Sequence, residues 1–569
     1  MRIATIEDIR SIEKRPLEER IQAASSYEMI LQGAQGREDQ AAIRFFARGP
    51  DYRSAVTVTY RQFIARIHQT ANLLHEFGIG PGDAVTILLP NLPQTHFAIW
   101  GAEAAGIANP VNPLLGVRSI AAIMNAARSK ALIAAGPVAG NEIWEKALAL
   151  PRQVPSLETL FQVMGSPQAG QDIHPFDALL DRCDPTRLIS GRQIHPDDVA
   201  AYFHTGGTTG APKLARHTHR NQVYNAWAAS VVGGTQGGDV TLCGLPLFHT
   251  NAVIVTGLVQ FSRGAQVVLL TPQGYRDPTV LEHFYEIVEH FGAASFSAVP
   301  TIYSRLLEIP RQGRDLSSLR FAICGAAPMP TQVFEALQEA TGMRILEGYG
   351  LTEGTCVSSC NPKDGQRRIG SIGIRLPYQQ MKVIQLDANG RRVRDCQPNE
   401  AGVIAIQGPN VFSGYVQEEA NLGIWPEAGW LNTGDLGRCD AEGYFWITGR
   451  HKDLIIRGGH NIDPAVIEEA LHSHPSVALA AAVGRPDPDL GEVPVAFVTL
   501  KAGTSSKEDD LLSHCRQHLD EPAAQPKAIR ILSEIPLTPV GKVYKPALRK
   551  MDAGQKEAGG RRQEAGRGR

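Results

Sequence analysis

The sequence predicts an α/β protein with more than one domain. In residues 56–350, short continuous apolar segments alternate with amphipathic helical patterns, which is typical of parallel sheets covered by helices on both faces. After about residue 365, short apolar segments separated by Gly, Asn and Pro indicate a small β-rich subdomain. A chain of 569 residues is also too long for a single hydrophobic core.

Individual helices and strands follow from the spacing of apolar residues. In residues 60–77, Phe63, Ile67, Ala71 and Leu74 share one helical face, and Gly78 ends the pattern. A helix near the C-terminus begins with Asp463 as the N-cap. Further helices are expected at 280–290 and 332–340, and strands at 85–89, 266–270, 294–299, 319–324, 344–346, 381–385, 403–407 and 444–448.

Composition excludes several classes of function. The net charge is −2, so no overall basic field is available to hold nucleic acid or an anionic membrane. The longest apolar stretch, 251–261, is well short of the ~20 residues that a membrane-spanning helix needs. The N-terminus lacks a signal-peptide pattern. Eight scattered cysteines are expected to be free thiols, so we expect a cytoplasmic protein.

The first motif, residues 205–213, has the composition of a phosphate-binding loop. Its glycines allow backbone N–H groups to approach an oxyanion, and its threonines and lysine add hydroxyl donors and a positive charge. It lacks the Lys-Ser or Lys-Thr of a Walker A loop. A flexible surface loop is the alternative. The proposed phosphate contacts are Thr205, Gly206, Gly207, Thr208, Thr209, Gly210 and Lys213.

Residues 347–353, Glu-Gly-Tyr-Gly-Leu-Thr-Glu, follow a predicted strand. Gly348 and Gly350 leave room for a flat ligand beside Tyr349. Thr352 can donate to a phosphate oxygen, and Glu353 can bind Mg²⁺. Taken alone, a tight turn with a buried tyrosine explains this motif at least as well.

Two further motifs lie towards the C-terminus. In 429–435 and 449–453, Asp435 can accept both hydroxyls of a ribose and Arg450 can donate to the sugar or a phosphate. An ordinary Asp–Arg surface pair is the alternative. In 536–542, Lys542 follows a glycine in a proline-bounded turn and can extend into a site, although most lysines are simply solvated.

Together, in this order, the four motifs resemble the adenylate-forming superfamily of acyl-CoA synthetases, peptide-synthetase adenylation domains and luciferases, over roughly residues 40–550. The resemblance implies a large N-terminal domain of two α/β subdomains and a small distorted β-barrel, followed by a small mobile α+β domain. It places the AMP-binding domain at 1–452, the hinge at Asp453 and the C-terminal domain at 453–550. Residues 551–569 are expected to be a disordered tail.

The resemblance also assigns the nucleotide and the catalytic groups. The loop 205–213 would hold the β- and γ-phosphates, Glu353 the Mg²⁺ ion, and Asp435 with Arg450 the ribose. Lys542 would bridge the substrate carboxylate and the α-phosphate, assisted by Thr352 and His249. The adenine would be enclosed by Gly325, Ala326, Ala327, Glu347, Gly348, Tyr349 and Gly350.

A second set of residues would serve the acid and coenzyme A. The loop of Arg457, Gly458, Gly459 and His460 would admit the pantetheine arm of CoA. Because no Lys or Arg occurs in the proposed acyl pocket, a dicarboxylate is disfavoured. A medium- or long-chain fatty acid, or an alicyclic or aromatic monocarboxylic acid, fits better. The acyl pocket would be lined by Phe248, His249, Asn251, Val299, Gly325, Gly350 and Cys356.

The sequence thus predicts an acyl-CoA ligase that uses ATP, Mg²⁺ and CoA. The alternatives are adenylation for a separate carrier protein, a silent nucleotide-binding regulator and a luciferase-type oxidase. The chain departs from the family pattern at Gly206, where serine is usual, and at Leu214, where glycine is usual. A homodimer is a further expectation, and the surroundings of Lys542 resemble those acted on by a lysine acetyltransferase.

Overall fold

The fold comes from a computed structural model. It describes residues 2–138, 142–165, 173–205, 213–325, 327–450, 453–457, 460–488, 490–519, 522–539 and 541–553. For Arg450, His460 and Asn461 it describes the backbone and not the side chain.

The helices of the described residues are short or medium in length. The α-helices α1 to α15 are, in chain order, Ile6–Ile12, Ser26–Ala34, Tyr60–Glu76, Pro93–Ala105, Val117–Ala127, Ile143–Ala149, Phe176–Leu180, His219–Gly233, Val259–Phe261, Pro278–Glu282, Phe284–Phe291, Pro300–Leu307, Thr331–Thr341, Pro464–His472 and Glu508–His518. A π-helix covers Asn251–Leu258. Short 3₁₀ helices are Leu17–Glu19, Gly49–Ser54, Gly274–Arg276, Thr352–Gly354, Glu418–Asn421 and Pro522–Ala524. Residues 545–553 are also helical.

The strands β1 to β26 are, in chain order, Ala41–Phe46, Val56–Thr59, Ala84–Leu88, Ile107–Pro110, Ser129–Ala135, Thr159–Val163, Ile173–Pro175, Val199–Thr205, Lys213–Thr218, Val240–Cys243, Gln266–Leu270, Ser295–Ala298, Phe321–Cys324, Ile345–Gly350, Val357–Cys360, Ile374–Arg375, Gln380–Leu386, Arg392–Asp395, Gly402–Gln407, Leu431–Cys439, Phe445–Arg450, Ile455–Arg457, His460–Ile462, Val477–Asp487, Gly491–Leu500 and Ala528–Ile531.

Two large, mainly parallel sheets form the N-terminal part of the described chain. One has the order β16-β15-β14-β13-β12-β10-β11-β1-β2, and the other the order β7-β6-β5-β3-β4-β8-β9. Strands such as β3 and β11 are almost entirely buried, as expected for parallel strands covered on both faces. Pairing becomes antiparallel at β14–β15 and β8–β9. The predicted pair of α/β subdomains is therefore confirmed.

Two smaller sheets follow. The antiparallel order β18-β17-β19-β20-β21 accounts for the predicted β-rich subdomain, and the C-terminal sheet has the order β23-β22-β25-β24, with β26 paired to β25. The C-terminal residues bury their own apolar clusters, which include Ile467, Leu471 and Val498 in one and Phe497 in another. A small α+β unit with its own core is thus present after the large N-terminal part.

Most predicted elements are found close to their expected positions. Helix α3 buries Phe63, Ile67, Ala71 and Leu74. Asp463 caps α14 by accepting a hydrogen bond from the N–H of Ala465 at 2.9 Å. The predicted helix 280–290 is instead two helices, α10 and α11, because His283 leaves the helical conformation between them.

The apolar stretch 251–261 is a helical segment with a π-helical start. Among the residues that the structure describes, no helix is long and apolar enough to cross a membrane. All eight cysteines are free, and six are buried. The helix at 545–553 extends past the predicted boundary at 550, and the rest of the predicted tail lies outside the described residues.

Helix α4 carries a fully buried carboxyl group. Glu103 accepts hydrogen bonds from the hydroxyl of Ser26 and from Nε2 of Gln222, the latter at 2.8 Å. No arginine or lysine is among the groups that shift its pKa, so burial dominates and raises the pKa of Glu103 from 4.5 to about 7. The folded protein therefore binds a proton here more tightly than the unfolded chain does.

We predict that Glu103→Gln removes a pH-dependent loss of stability. The stabilising contribution of Glu103 is fully present below the pKa that its carboxyl has in the unfolded chain. This contribution is lost as the pH rises through the pKa in the folded protein, near 7. Each pKa unit corresponds to about 1.4 kcal/mol, so the free energy of unfolding of the wild-type protein should fall by about 3 kcal/mol relative to that of the variant over this pH range. Denaturant unfolding from about pH 5 to about pH 8 measures the difference.

Glu76→Gln is the matched control, because it removes the same charge from an exposed position on α3. A pH-independent difference between Glu103→Gln and the wild type would contradict the raised pKa.

Candidate active site

The carboxyl ends of β13 and β14 bring the second motif beside Gly325. These strands are parallel, with Cys324 opposite Glu347, so Gly325, directly after β13, lies beside Gly348 of β14. A Cβ built on Gly325 would lie 3.5 Å from the carbonyl oxygen of Gly348. The edge of the sheet where ligands bind in open α/β folds therefore carries the glycines predicted to face the adenine.

Gly350 allows β14 and β15 to meet closely. A Cβ at this position would lie 1.5 Å from the carbonyl oxygen of Cys356, which no side chain could tolerate. The turn between the strands contains the short helix Thr352–Gly354 and then Thr355 at a φ of 68°. This turn places Thr352 and Glu353 directly after the predicted adenine site.

Tyr349 joins the second and third motifs. Its hydroxyl donates a hydrogen bond of 2.6 Å to Oδ2 of Asp435, which is 3% exposed. Asp435 lies opposite Arg450 in the β20–β21 register. The residues predicted to hold adenine and ribose are therefore neighbours, although they are far apart in the sequence.

Glu353 is held by a residue that the sequence reasoning missed. The hydroxyl of Tyr415 donates to Oε1 of Glu353, and the Nζ of Lys213 lies 5.2 Å from the centre of the Tyr415 ring. The backbone of Glu353 also accepts a hydrogen bond from the N–H of Phe412. Tyr415 thus links the predicted metal ligand to the lysine of the phosphate loop. A lone loop tyrosine gave no sequence signal for this role.

Thr352 is fixed through its backbone. Its carbonyl oxygen lies 2.7 Å from Nε2 of His217, a fully buried residue of β9. Burial lowers the pKa of His217 to about 4, so the imidazole is neutral and its Nε2–H donates to this oxygen. The turn that carries Thr352 is therefore tied to the strand that follows the phosphate loop.

His249 is a neutral acceptor at the predicted acyl pocket. The N–H of Asn251 donates to its Nδ1 at 3.3 Å. Enclosure by the protein, and then the positive charge of Lys542, lower the pKa of His249 to about 3. The ring of Phe248 stacks near His204, with centroids 6.2 Å apart. Because Nδ1 accepts from Asn251, the neutral ring carries its proton on Nε2 and can donate from there, and His249 carries no charge at neutral pH.

The turn that carries Lys542 is docked against the wall of the same pocket. The hydroxyl of Thr301 donates to the carbonyl oxygen of Gly541 at 3.0 Å. Gly541 has a φ of 83°, and a Cβ there would lie 2.8 Å from Cγ2 of Val299. The turn is closed by the N–H of Lys542 donating to the hydroxyl of Thr538. A glycine before the lysine is thus required by both its conformation and its close packing.

Two predicted site residues have side chains engaged within the protein. The carboxyl of Glu347 accepts from the N–H of Gly370 at 2.8 Å, and burial raises its pKa to about 7. Cys356 is buried, which raises the pKa of its thiol to about 12 and leaves it unreactive. These two side chains support the walls of the site.

The remaining predicted site residues are described only in part. Arg457 donates to the carbonyl oxygen of Ala523 at 2.7 Å, within the C-terminal unit. Asp453, the predicted hinge, pairs with Arg549 at 3.0 Å. Ala327, predicted to enclose the adenine, is exposed. Gly206, Gly207, Thr208, Thr209, Gly210, Ala326, Gly458 and Gly459 lie outside the described residues, as do the side chains of Arg450 and His460.

Both ends of the phosphate loop are described. Thr205 ends β8 and is opposite Lys213 at the start of β9. Leu214, where the family usually has glycine, is fully buried in the main core, and its N–H donates to Oε1 of Gln417. The departure at residue 214 therefore fixes the end of the loop by an apolar contact.

The described residues contain no cluster of three His, Cys, Asp or Glu side chains that could hold a metal ion by themselves. A Mg²⁺ ion that is bound together with ATP needs fewer protein ligands, because phosphate oxygens and water complete its coordination. With Oε1 of Glu353 accepting from Tyr415, Oε2 of the same carboxylate is compatible with such an ion.

Comparison with known proteins agrees with this arrangement. The AMP-binding enzyme family matches residues 31–416, and its C-terminal domain matches residues 466–542. The chain therefore belongs to the AMP-binding enzyme family of adenylate-forming acyl-CoA synthetases, as its motifs predict.

Relatives of known activity cover nearly the whole chain. The marinolic acid–CoA ligase of Pseudoalteromonas sp. (strain SANK 73390) is 41% identical over 96% of this chain and 84% of the relative. A long-chain-fatty-acid–CoA ligase of Bacillus subtilis (strain 168) is 31% identical over 90% of this chain and 91% of the relative.

A similar solved structure is ATP-bound MatB from Rhodopseudomonas palustris. It is 25% identical to this chain, with a TM-score of 0.80 over 93% of this chain and 98% of MatB.

We predict that Gly350→Ala disrupts the site. The added Cβ would force β14 away from the carbonyl of Cys356, moving Tyr349, Thr352 and Glu353 together. Overpacking of this kind costs at least about 2 kcal/mol. We expect a lower melting temperature and loss of ATP binding by calorimetry.

Gly82→Ala is the control, since a Cβ at that turn position meets nothing within 4 Å. Unchanged ATP affinity in Gly350→Ala would show that close strand contact is not needed for the site.

Proposed function

We propose that this enzyme is an AMP-forming acyl-CoA ligase that first joins a carboxylic acid to AMP and then transfers the acyl group to CoA. The observation that carries the proposal is the docking of Gly541 on Thr301, which presents Lys542 beside His249. A lysine held next to the acyl pocket is what the first half-reaction requires.

In the first half-reaction, a carboxylate oxygen attacks the α-phosphorus of ATP, and the bond to pyrophosphate breaks. Two anions must approach, and charge accumulates on the phosphorus oxygens. Lys542 offsets the charge on the carboxylate and α-phosphate, and Lys213 the charge on the leaving pyrophosphate. Mg²⁺, held by Glu353, would supply further positive charge when bound with ATP. His249, being neutral, does not repel Lys542, and its Nε2–H can donate a hydrogen bond.

In the second half-reaction, the thiol of CoA attacks the acyl carbon, AMP leaves, and the thiol proton is released. The family relationship supports a rotation at Asp453 that withdraws Lys542 and presents the segment 457–460 to the acyl-AMP. The requirements of the two steps differ, because the lysine is needed for the first and a thiol channel for the second. We place the domain boundary at 452/453 on this ground.

The acid is proposed to be a medium- or long-chain fatty, alicyclic or aromatic monocarboxylic acid. Val299 and Cys356 give the proposed pocket an apolar wall, and Gly325 adds no side chain to it. Ligases similar to this chain act on dissimilar acids. A sulfoacetate–CoA ligase of Cupriavidus necator, for example, is 34% identical to this chain over 82% of its length. The site therefore has to be tested with a broad set of acids.

Pyrophosphate release from a panel of acids, with and without CoA, tests the proposal. We expect at least one monocarboxylic acid to give pyrophosphate, and a thioester when CoA is added. If the acyl group is transferred to an added carrier protein and no acyl-CoA forms, the carrier protein and not CoA is the acceptor. Silence with every acid would favour a nucleotide-binding regulator.

We predict that Lys542→Ala slows adenylate formation by about 10²–10³-fold, because one preorganised positive charge is lost. Thioester formation from supplied acyl-AMP and CoA should be nearly unchanged. Separate assays of the two half-reactions measure this difference. Lys550→Ala is the control, because it removes an exposed lysine from the helix 545–553 that follows the turn of Lys542. Equal slowing of both half-reactions would contradict the proposed role of Lys542 in the first half-reaction alone.

Tyr415→Phe should weaken the binding of a divalent ion together with ATP by at least about tenfold. The substitution keeps the ring beside Lys213 but removes the hydrogen bond to the Glu353 carboxylate, and such charge-assisted bonds contribute about 1.5–3 kcal/mol. Binding of Mn²⁺ in the presence of ATP, followed by electron paramagnetic resonance, is a direct measurement.

Tyr52→Phe is the matched control, because Tyr52 also donates to a glutamate, Glu286, at 2.8 Å in another part of the chain. Equal Mn²⁺ affinity in Tyr415→Phe and the wild type would mean that Tyr415 does not position Glu353 for the ion.

Regulation, location and assembly are separate proposals. Acetylation of Lys542 by a lysine acetyltransferase would remove its charge and stop the first half-reaction. Fully active enzyme carrying acetyl-Lys542 in mass spectra would refute this switch. We also propose a cytoplasmic location and a homodimer, the latter to be tested by light scattering.

A further inference from the structure

The imidazole of His204 lies between the phosphate loop and the predicted acyl pocket. His204 is the second-last residue of β8 and immediately precedes Thr205. Its ring stacks near that of Phe248, with centroids 6.2 Å apart and an interplanar angle of 23°. Because the phosphate-loop motif begins at residue 205, the sequence did not indicate His204 as a site residue. The structure therefore adds one polar side chain where the two parts of the site meet.

A backbone contact fixes which nitrogen of His204 carries the proton. The N–H of Asn112 donates to Nε2 of His204 at 3.2 Å. Burial lowers the pKa of His204 to about 4, so the ring is neutral at pH 7 and its single proton is on Nδ1. In the part of the chain that the structure describes, this Nδ1 has no hydrogen-bond partner. His204 thus has one donor available for a ligand.

His204 and His249 line a space that solvent can reach. Burial is the main cause of the low pKa of both groups, about 4 for His204 and about 3 for His249, so protein encloses each ring. Both residues nevertheless keep part of their surface exposed. A side chain that is enclosed and still accessible lies in a cleft. Positive charge on His204 would also lower the pKa of His249, which places the two rings near each other.

The two imidazoles have matching donors. Nδ1 of His249 accepts from the N–H of Asn251, so the proton of this ring is on Nε2. Each ring is therefore held at one nitrogen by a backbone N–H and has its own N–H at the other. Two neutral donors near Lys542 suit an acyl oxygen that gains negative charge, and they do not repel the lysine.

The second half-reaction needs donors that do not leave with Lys542. When the thiol sulfur attacks the acyl carbon, the electron pair of the C=O bond moves onto oxygen, and the thiol proton passes to solvent. The pair returns as the bond to AMP breaks. His204 ends β8, and the N–H of His249 donates to the carbonyl of Pro246 at 3.0 Å, so both belong to the N-terminal part. Their donors remain when the C-terminal turn withdraws.

We propose that His204 is a further catalytic residue, whose Nδ1–H, together with the Nε2–H of His249, holds the acyl oxygen on which charge develops when CoA attacks. The proposal rests on the acyl-CoA ligase function and deepens it. The stack on Phe248 and the hydrogen bond from Asn112 hold the ring in one orientation. A purely structural role, in which His204 only accepts from Asn112, is the alternative.

Two amide variants of His204 separate these roles. The amide nitrogen of Asn can take the place of Nδ1, whereas the longer side chain of Gln places its amide where Nε2 stood. His204→Asn therefore keeps a donor for the acyl oxygen and loses the acceptor for Asn112. His204→Gln keeps that acceptor and loses the donor. Each variant is thus the control for the other.

The two half-reactions are assayed separately, as pyrophosphate release and as thioester formation from supplied acyl-AMP and CoA. His204→Gln should lower kcat of thioester formation by about 10²–10³-fold, as expected for the loss of one donor to an oxyanion. Its pyrophosphate release should fall by at most about tenfold, because Lys542 still offsets the charge of the carboxylate. His204→Asn should keep kcat of thioester formation within about tenfold of the wild type.

The opposite pattern, an active His204→Gln and an inactive His204→Asn, would overturn the proposal and leave His204 as an anchor for the backbone of Asn112. Equal slowing of both half-reactions in His204→Gln would also overturn it. In either case the wild type still forms acyl-AMP, so the ligase function stands. A wild type that releases no pyrophosphate with any acid would instead overturn the ligase function itself.

Discussion

The close contact of β14 with β15 at Gly350 is the constraint on which the site depends. One strand belongs to the parallel part of the large sheet, and the other reverses direction against it. The turn between them carries Thr352 and Glu353, while Tyr349 on β14 reaches Asp435 in the neighbouring antiparallel sheet. A single position without a side chain thus sets the spacing between groups from two subdomains, which explains why glycine is needed there.

Much of the fold could be predicted because local patterns and tertiary packing agree. The four apolar residues of α3 recur at helical spacing and are all buried, and Asp463 caps α14 as its side-chain chemistry favours. The pattern failed where a local irregularity decides the structure. Residues 280–290 have a continuous helical period, yet His283 interrupts it, and the apolar run 251–261 gives no signal that distinguishes a π-helix from an α-helix.

The site was predictable where residue type and family motif coincide. Lys542, Asp435 and Glu353 were identified from the sequence, and the structure places them beside the pocket, the adenine strand and the phosphate loop respectively. Tyr415 was missed because its role arises from contacts with Glu353 and Lys213, which are distant in the sequence. Glu347 was assigned to the adenine; in the structure its carboxyl accepts a hydrogen bond from the N–H of Gly370, and burial raises its pKa to about 7, neither of which the sequence indicates.

The docking of the Lys542 turn has a thermodynamic consequence. A neutral hydrogen bond such as the one from Thr301 to Gly541 contributes about 1 kcal/mol net, so it cannot hold the turn in place by itself. Under the proposed function, the attraction between Lys542 and bound anions would add to this hydrogen bond and to the packing of Gly541 on Val299. Departure of pyrophosphate would then remove part of the negative charge and lower the population of the docked turn. Product release and undocking of the turn would therefore be linked equilibria.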